Sequence, residues 1–107
     1  MPQCKKCKKK GLFLKLYRRT RLCLPCNTAF IKSSRELTAK IMEDINSIQG
    51  LDDPKAIVSR CEQVEENAQK LISLHKEYSQ EVSSSLMLVV NRYRQIKQKT
   101  LDTITST

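Results

Sequence analysis

The chain has 107 residues, with 20 Lys and Arg against 11 Asp and Glu, and a formal net charge of +9. Two glycines, two phenylalanines and no tryptophan leave material for at most one modest domain. No apolar run of about 18 residues occurs, which excludes a membrane-spanning helix. The opening has no apolar signal segment either, so we expect a cytoplasmic protein with reduced cysteines and no membrane contact.

The charge is spread unevenly along the chain. Residues 1–35 contain seven Lys and four Arg and no acidic residue, for a net charge of +11. Residues 36–107 have a net charge of −2. The sequence therefore predicts a strongly basic head on a nearly neutral body.

Two Cys-x-x-Cys pairs dominate the basic head. The first is Cys4-Lys5-Lys6-Cys7, and the second is Cys23-Leu24-Pro25-Cys26. Two such pairs at this separation are typical of a structural Zn²⁺ site, in which four thiolates surround the ion at about 2.3 Å. A disulfide framework and a redox dithiol are less favoured, because no export signal and no βαβ pattern accompany the cysteines. We predict that the metal ligands are Cys4, Cys7, Cys23 and Cys26.

The segment between the two pairs alternates like a β-strand. Leu12, Leu14 and Leu16 would share one face, residues 18–20 would form the turn, and residues 21–23 would return. A hairpin followed by a helix that supplies the last ligand is the treble-clef arrangement. We therefore expect residues 1–32 to form a zinc ribbon or treble-clef head with a short β-hairpin.

Residues 33–107 are predicted to form a helical body. Pro25 suits the first turn of a helix over residues 26–49, although Ser33 offers a later start as part of a capping box. Gly50 would cap the end of this helix, and residues 50–53 would form a turn. Asp53 and Pro54 would then start a second helix over residues 54–103, either continuous or broken near 83–85.

An apolar seam indicates how the second helix packs. Cys61, Val64 and Ala68 belong to a series that steps by four and three residues, as in a coiled coil. The fold class that follows is mostly α, with long antiparallel helices. The whole seam comprises Ile57, Cys61, Val64, Ala68, Leu71, His75, Tyr78 and Val82.

The run 86–90 is apolar almost all round and must be covered. The cover would come from the chain folding back at residues 83–85 or from a second subunit, and we expect a homo-oligomer. The predicted helix-interface residues are Leu86, Val89, Val90 and Tyr93.

The cysteine-rich opening resembles the N-terminal zinc module of a group of small bacterial and phage proteins. The resemblance rests on the two Cys-x-x-Cys pairs, on the stretch 9–16 between them, on Leu22 before Cys23, and on the triplet 59–61 in the following helix. It covers roughly residues 4–78. It implies a zinc-binding fold and no established activity. Two positions depart from the group: Lys8 and Arg21 stand where glycine is common. Since glycine enters positive-φ conformations far more cheaply, we expect Lys8 to strain the first knuckle.

The sequence offers no catalytic centre. Cys61 and His75 share a helix face, but about 21 Å of helix separates them, so they cannot act as a pair. We expect both to be packing residues on the seam. A zinc ion with four protein sulfurs has no open position for water, and no glycine-rich phosphate loop is present. We therefore expect that the protein is not an enzyme.

The basic head suggests that the protein binds nucleic acid or another polyanion without sequence specificity, with Phe13 or Tyr17 available for base stacking. A merely solvated basic surface remains an alternative, and so does an adaptor or inhibitor that binds a protein partner through the helical body. A second basic cluster, residues 92–99 around Tyr93, could extend the binding track or be an ordinary exposed face. The candidate nucleic-acid-binding residues are Lys5, Lys6, Lys8, Lys9, Lys10, Arg18, Arg19 and Arg21.

Overall fold

A computed structural model describes residues 2–105, which form three helices. The helices are α1 (Leu24–Ile48), α2 (Pro54–Glu77) and α3 (Ser84–Thr105). They build an elongated body, and the whole molecule measures 66 × 18 × 16 Å. Within residues 2–105, none of the helices combines the length and the apolar character needed to cross a bilayer.

Helix α2 lies at the centre, with α1 and α3 each packed against it. Asp44 on α1 contacts Arg60 on α2 at 3.4 Å. Arg94 on α3 contacts Glu65 on α2 at 2.7 Å. Helix α1 is antiparallel to α2 because Asp44, late in α1, meets Arg60, early in α2. Helix α3 is also antiparallel to α2, because Lys97, further along α3 than Arg94, pairs with Glu62, which lies earlier in α2 than Glu65.

The core lies along α2. Cys61, Val64 and Ala68 of the predicted seam are fully buried, and Leu71 joins them. Burial of this seam on both neighbouring helices supplies most of the body's stabilisation, because removal of apolar area from water is the dominant favourable term in folding. The core is completed by Ile41 from α1, Ile72 from α2, and Leu86, Val90 and Tyr93 from α3.

The predicted helix-interface residues are covered within the same chain. Leu86, Val90 and Tyr93 are buried against α2, and Val89 packs at the edge of the core. The chain therefore folds back and covers most of the apolar run itself. Leu88 and Met87 remain exposed on the outer side of α3.

The chain folds back at residues 78–83, next to the position near 83–85 where the sequence allowed a break. Helix α2 ends at Glu77, and Ser79 adopts a left-handed conformation with φ 55°. Ser79 N–H donates to the Lys76 carbonyl at 3.1 Å, and Gln80 N–H donates to the His75 carbonyl at 2.7 Å. These two bonds form a Schellman cap. Residues 54–103 therefore belong to two helices separated by residues 78–83, a segment in which no glycine signals the break.

The ends of α1 and α2 follow simple local rules. Pro25 lies in the first turn of α1, and Ser33 lies inside the helix. Gly50 follows the end of α1 without a positive φ, so the predicted left-handed glycine cap does not form. Asp53 caps α2 as predicted, since its carboxylate accepts from the Lys55 N–H at 3.2 Å.

The predicted β-hairpin is wrong: residues 2–105 contain no strand, so the ribbon or treble-clef head with a hairpin is not formed. Leu14 N–H donates to the Gly11 carbonyl at 3.2 Å, which bends the chain where an extended strand was expected. Leu14 and Leu16 pack on the head, but Leu12 is exposed. The nearest approach to sheet structure is an isolated antiparallel bridge between Gln3 and Lys10. So few ladder bonds cannot hold a hairpin by themselves.

The buried and exposed leucines of α3 offer a direct test of this packing. Leu86→Ala should lower the free energy of unfolding by about 2–5 kcal/mol, because it leaves a cavity against α2. Leu88→Ala, on the same helix but exposed, should change it by less than about 0.5 kcal/mol. Urea unfolding followed by circular dichroism measures both. An equally large loss in Leu88→Ala would mean that another surface covers this side of α3.

Candidate metal centre and basic head

The two Cys-x-x-Cys pairs converge on one point at the end of the helical body. The four Sγ atoms all lie within 4.8 Å of one another. The Cys7 and Cys23 Sγ atoms are 3.8 Å apart, far longer than a disulfide bond. Four sulfurs placed about 2.3 Å from one ion in a tetrahedron would be about 3.8 Å apart. The donor set and its spacing therefore fit a single tetrahedral metal ion.

Backbone hydrogen bonds hold the two cysteine loops together. Cys4 N–H donates to the Lys9 carbonyl at 3.0 Å, which closes the first loop. Lys5 N–H donates to the Arg21 carbonyl at 3.1 Å, which ties the first loop to the second. Cys23 N–H points at the Cys4 sulfur at 3.4 Å. The last ligand, Cys26, lies in the first turn of α1, so the metal centre is continuous with the body.

The sulfurs differ in how readily they ionise in the absence of a metal. Burial opposes ionisation of Cys4, but N–H groups of Cys23, Cys7 and Lys6 outweigh it and lower its pKa to about 6. Burial and the thiols of Cys23, Cys4 and Cys7 raise the pKa of Cys26 to about 12, with a further contribution from the Cys4 charge. One thiolate therefore forms easily, and a cation is needed to stabilise the full set of four.

Both cysteine loops contain a residue in the left-handed region. Lys8 follows the second ligand with φ 65°, and Arg21 precedes Leu22 and Cys23 with φ 60°. These are the two positions where glycine was expected from the resemblance. A non-glycine residue in this region costs about 1–2 kcal/mol of conformational free energy, so the backbone of each cysteine loop is strained.

The head has a very small interior of its own. Leu22 and Cys4 are fully buried, and Cys23 is nearly so, whereas Cys7 is exposed. Phe30 of α1 extends this cluster towards the body, and its ring meets the His75 ring edge-on at 5.2 Å. The head is therefore anchored on an aromatic contact at the end of α2.

Polar contacts fix the same junction. The Gln80 side-chain amide donates to the Thr20 carbonyl at 2.8 Å, which links the turn between α2 and α3 to the second cysteine loop. Lys6 pairs with Glu77 at 3.3 Å and lies over the Tyr78 ring at 5.3 Å. The charge of Lys6 is therefore directed at the body.

The other candidate basic residues are exposed on the head. Lys15 is also exposed on the head, but it was not among the predicted binding residues. Its position between Leu14 and Leu16, which both pack on the head, could have indicated that it faces solvent. The second basic cluster does not form an open track, because Tyr93 is buried. Arg94 pairs with Glu65, and Lys97 pairs with Glu62 at 3.6 Å.

Cys61 and His75, the two other potentially reactive side chains, are both held by contacts within the helical body. Cys61 is fully buried, and burial raises the pKa of its thiol, with Lys97 opposing and Glu62 adding to the shift. His75 Nδ1 lies 2.8 Å from the Leu71 carbonyl. Since a carbonyl only accepts, Nδ1 carries the hydrogen and is satisfied within the helix.

Comparison of the chain with protein-family models, with curated proteins and with solved structures gives no match. These comparisons do not support the resemblance to small bacterial and phage zinc modules, and what the head does must be argued from its own residues.

Removal of one ligand tests the metal centre. Cys4→Ala should lose the bound metal and unfold the head, because the remaining sulfurs cannot close the site and the head has little core. The matched control is Cys61→Ala, which should keep the metal and lose only about 1–2 kcal/mol of packing free energy. Elemental analysis of metal per chain, with near-ultraviolet circular dichroism, measures both. A metal-loaded Cys4→Ala protein with a native spectrum would refute the four-cysteine assignment.

The strained first loop gives a stabilising substitution. Lys8→Gly should raise the unfolding free energy of the metal-loaded protein by about 0.5–1 kcal/mol, because relief of the left-handed strain exceeds the added flexibility of the unfolded chain. Lys9→Gly removes the same charge, but Lys9 is not among the described residues with positive φ, so it should bring no gain. Thermal unfolding compares the two variants. If both variants were stabilised equally, the gain would come from the removed charge and not from relief of backbone strain.

Proposed function

We propose that the protein is a non-enzymatic binding module, in which a structural Zn²⁺ ion shapes a basic head that contacts the phosphates of nucleic acid. The observation that carries the proposal is a head with four convergent cysteines and seven exposed candidate bases, in a stretch of 35 residues without a single acid. A cytoplasmic location fits the four reduced thiols.

The choice of zinc follows from the donor set. Four thiolates in tetrahedral spacing suit Zn²⁺, which has no geometric preference of its own and binds sulfur well. All four positions would be protein sulfur, so the ion would serve structure alone. Its role would be to supply the stabilisation that so small a head cannot obtain by burying apolar surface.

The charge distribution favours a polyanion over a small ligand. Within residues 2–105, Lys6 is the one member of the eight candidate residues that forms an ion pair with an acid of the body. The body, in contrast, pairs several of its bases with glutamates on α2. Four thiolates around Zn²⁺ contribute −2, which the surrounding bases exceed. A compact, uncompensated positive surface of this kind attracts phosphate backbones and releases their counterions.

Binding measured across a salt series tests the proposal. The zinc-loaded protein should bind random-sequence duplex DNA with a log–log salt slope of about −3 to −5, which corresponds to that many phosphate contacts or slightly more. Replacing Lys9, Lys10, Arg18 and Arg19 by Gln should reduce the magnitude of the slope by about 3. Fluorescence anisotropy of a labelled oligonucleotide provides the readout.

The matched control removes the same amount of charge from the helical body instead of from the head. Replacing Lys40, Lys55, Arg92 and Lys99 by Gln removes four exposed bases of the helices and should leave the slope nearly unchanged. If both variants weaken binding equally, net charge and not the head is responsible. Absence of binding even at low salt would overturn the proposal.

A second candidate is a protein-binding role for the helical body. The observation that favours it is an apolar groove of about 320 Å³ between α1 and α3, lined by residues that include Ile45, Leu86 and Val89 and flanked by exposed Met42. A sedimentation coefficient that rises with protein concentration would support self-association through this groove. A constant value, equal to that of the monomer, would exclude self-association as the role of the groove.

A further inference from the structure

The basic head carries a group of exposed apolar side chains. Phe13 is 95% exposed, Leu12 is 74% exposed and Leu24 is 60% exposed, and Tyr17 lies nearby at 45%. An aromatic ring that is almost wholly exposed to water contributes no burial free energy to the fold. In a head of this size such a concentration of exposed apolar side chains indicates a contact surface.

Two hollows flank Leu24 within this surface. One, of about 410 Å³, is lined by residues that include Phe13, Lys9 and Lys15. The other, of about 440 Å³, is lined by residues that include Tyr17, Arg18 and again Lys15. Each hollow thus combines one aromatic ring with basic side chains, and Leu24 and Lys15 belong to both. The two hollows are neighbours that share a dividing wall.

We infer that the two hollows receive consecutive unpaired bases of a single-stranded nucleic acid, with Phe13 and Tyr17 as stacking platforms and Lys9, Lys15 and Arg18 on the phosphates. This inference rests on the proposed function and narrows its ligand. Aromatic rings beside basic side chains are the usual means of holding single strands without sequence preference, because every base has a π-face.

A duplex would use only half of this surface. Its bases are stacked on one another and cannot reach Phe13, so a duplex would meet the lysines and arginines alone. The lining of the first hollow also includes Cys7, Cys23 and Cys26, whose thiolates would repel a phosphate placed beside them. An uncharged base fits that position better, with the phosphates left at the basic rim.

Substitution of Phe13 separates stacking from charge. For zinc-loaded full-length protein, Phe13→Ala should weaken binding to a labelled oligo(dT) of about 15 nucleotides roughly tenfold. Binding to a random-sequence duplex of equal length should change less than about twofold, because no charge is lost. Phe13 is exposed, so the variant should fold normally. Leu88→Ala, an exposed leucine on α3, is the control for apolar loss elsewhere and should affect neither ligand.

Two further substitutions identify what the ring does. Phe13→Tyr keeps an aromatic face and should retain oligo(dT) affinity within about twofold, whereas Phe13→Leu keeps apolar bulk without a ring and should weaken it about as much as alanine does. Full affinity in Phe13→Leu would overturn stacking. The inference would also be overturned if the protein bound vesicles of phosphatidylserine and phosphatidylcholine more tightly than oligo(dT) and Phe13→Ala abolished the vesicle binding.

The outcomes distinguish this inference from the proposed function. Duplex and oligo(dT) binding that is equally strong and unaffected by Phe13→Ala would overturn the stacking surface and leave the basic head as a phosphate-binding module. Loss of all binding to both polymers at low salt would overturn the proposed function, and the inference with it.

Discussion

Convergence of four cysteine sulfurs on one point is the constraint on which the rest of the head depends. Residues 2–23 contain no regular secondary structure and bury little apart from Leu22 and two of the cysteines. Such a segment cannot offset its loss of conformational entropy by apolar burial. The cluster instead supplies a fixed centre around which backbone N–H groups and carbonyls pair. The positive φ values of Lys8 and Arg21 are the local cost of bringing the sulfurs into tetrahedral spacing.

The helical body is more than a support for this centre. Helix α1 carries Cys26 in its first turn and Phe30 one turn later, so one helix contributes both a ligand and the anchor against His75. The turn after α2 reaches back to the second cysteine loop through Gln80. The head is thereby held at the end of the body with its basic and apolar side chains facing solvent, and both proposed uses of the head depend on that placement.

Charge is handled differently in the two parts of the molecule. On the body, pairs such as Arg94 with Glu65 and Lys97 with Glu62 bring opposite charges together between neighbouring helices. Such exposed pairs contribute little to stability, but they cancel the field around the body. Among the described residues, the head has one such pair, between Lys6 and Glu77, and its other candidate bases are exposed. The positive field is therefore concentrated at one tip of an elongated molecule.

The sequence by itself determined the cysteine cluster, the helical nature of the body and the Asp53 cap, because each depends on spacing or on neighbouring residues. The prediction for the segment 11–23 was wrong: the alternating leucines predicted a hairpin, but in the structure this segment forms loops around the cysteine cluster. The sequence allowed a break near residues 83–85 but did not indicate that α2 ends at Glu77, since Ser79 occupies a left-handed cap position without glycine. Only the tertiary structure decided which bases are paired and that Phe13 and Tyr17 flank Leu24, because those outcomes depend on contacts between residues distant in sequence.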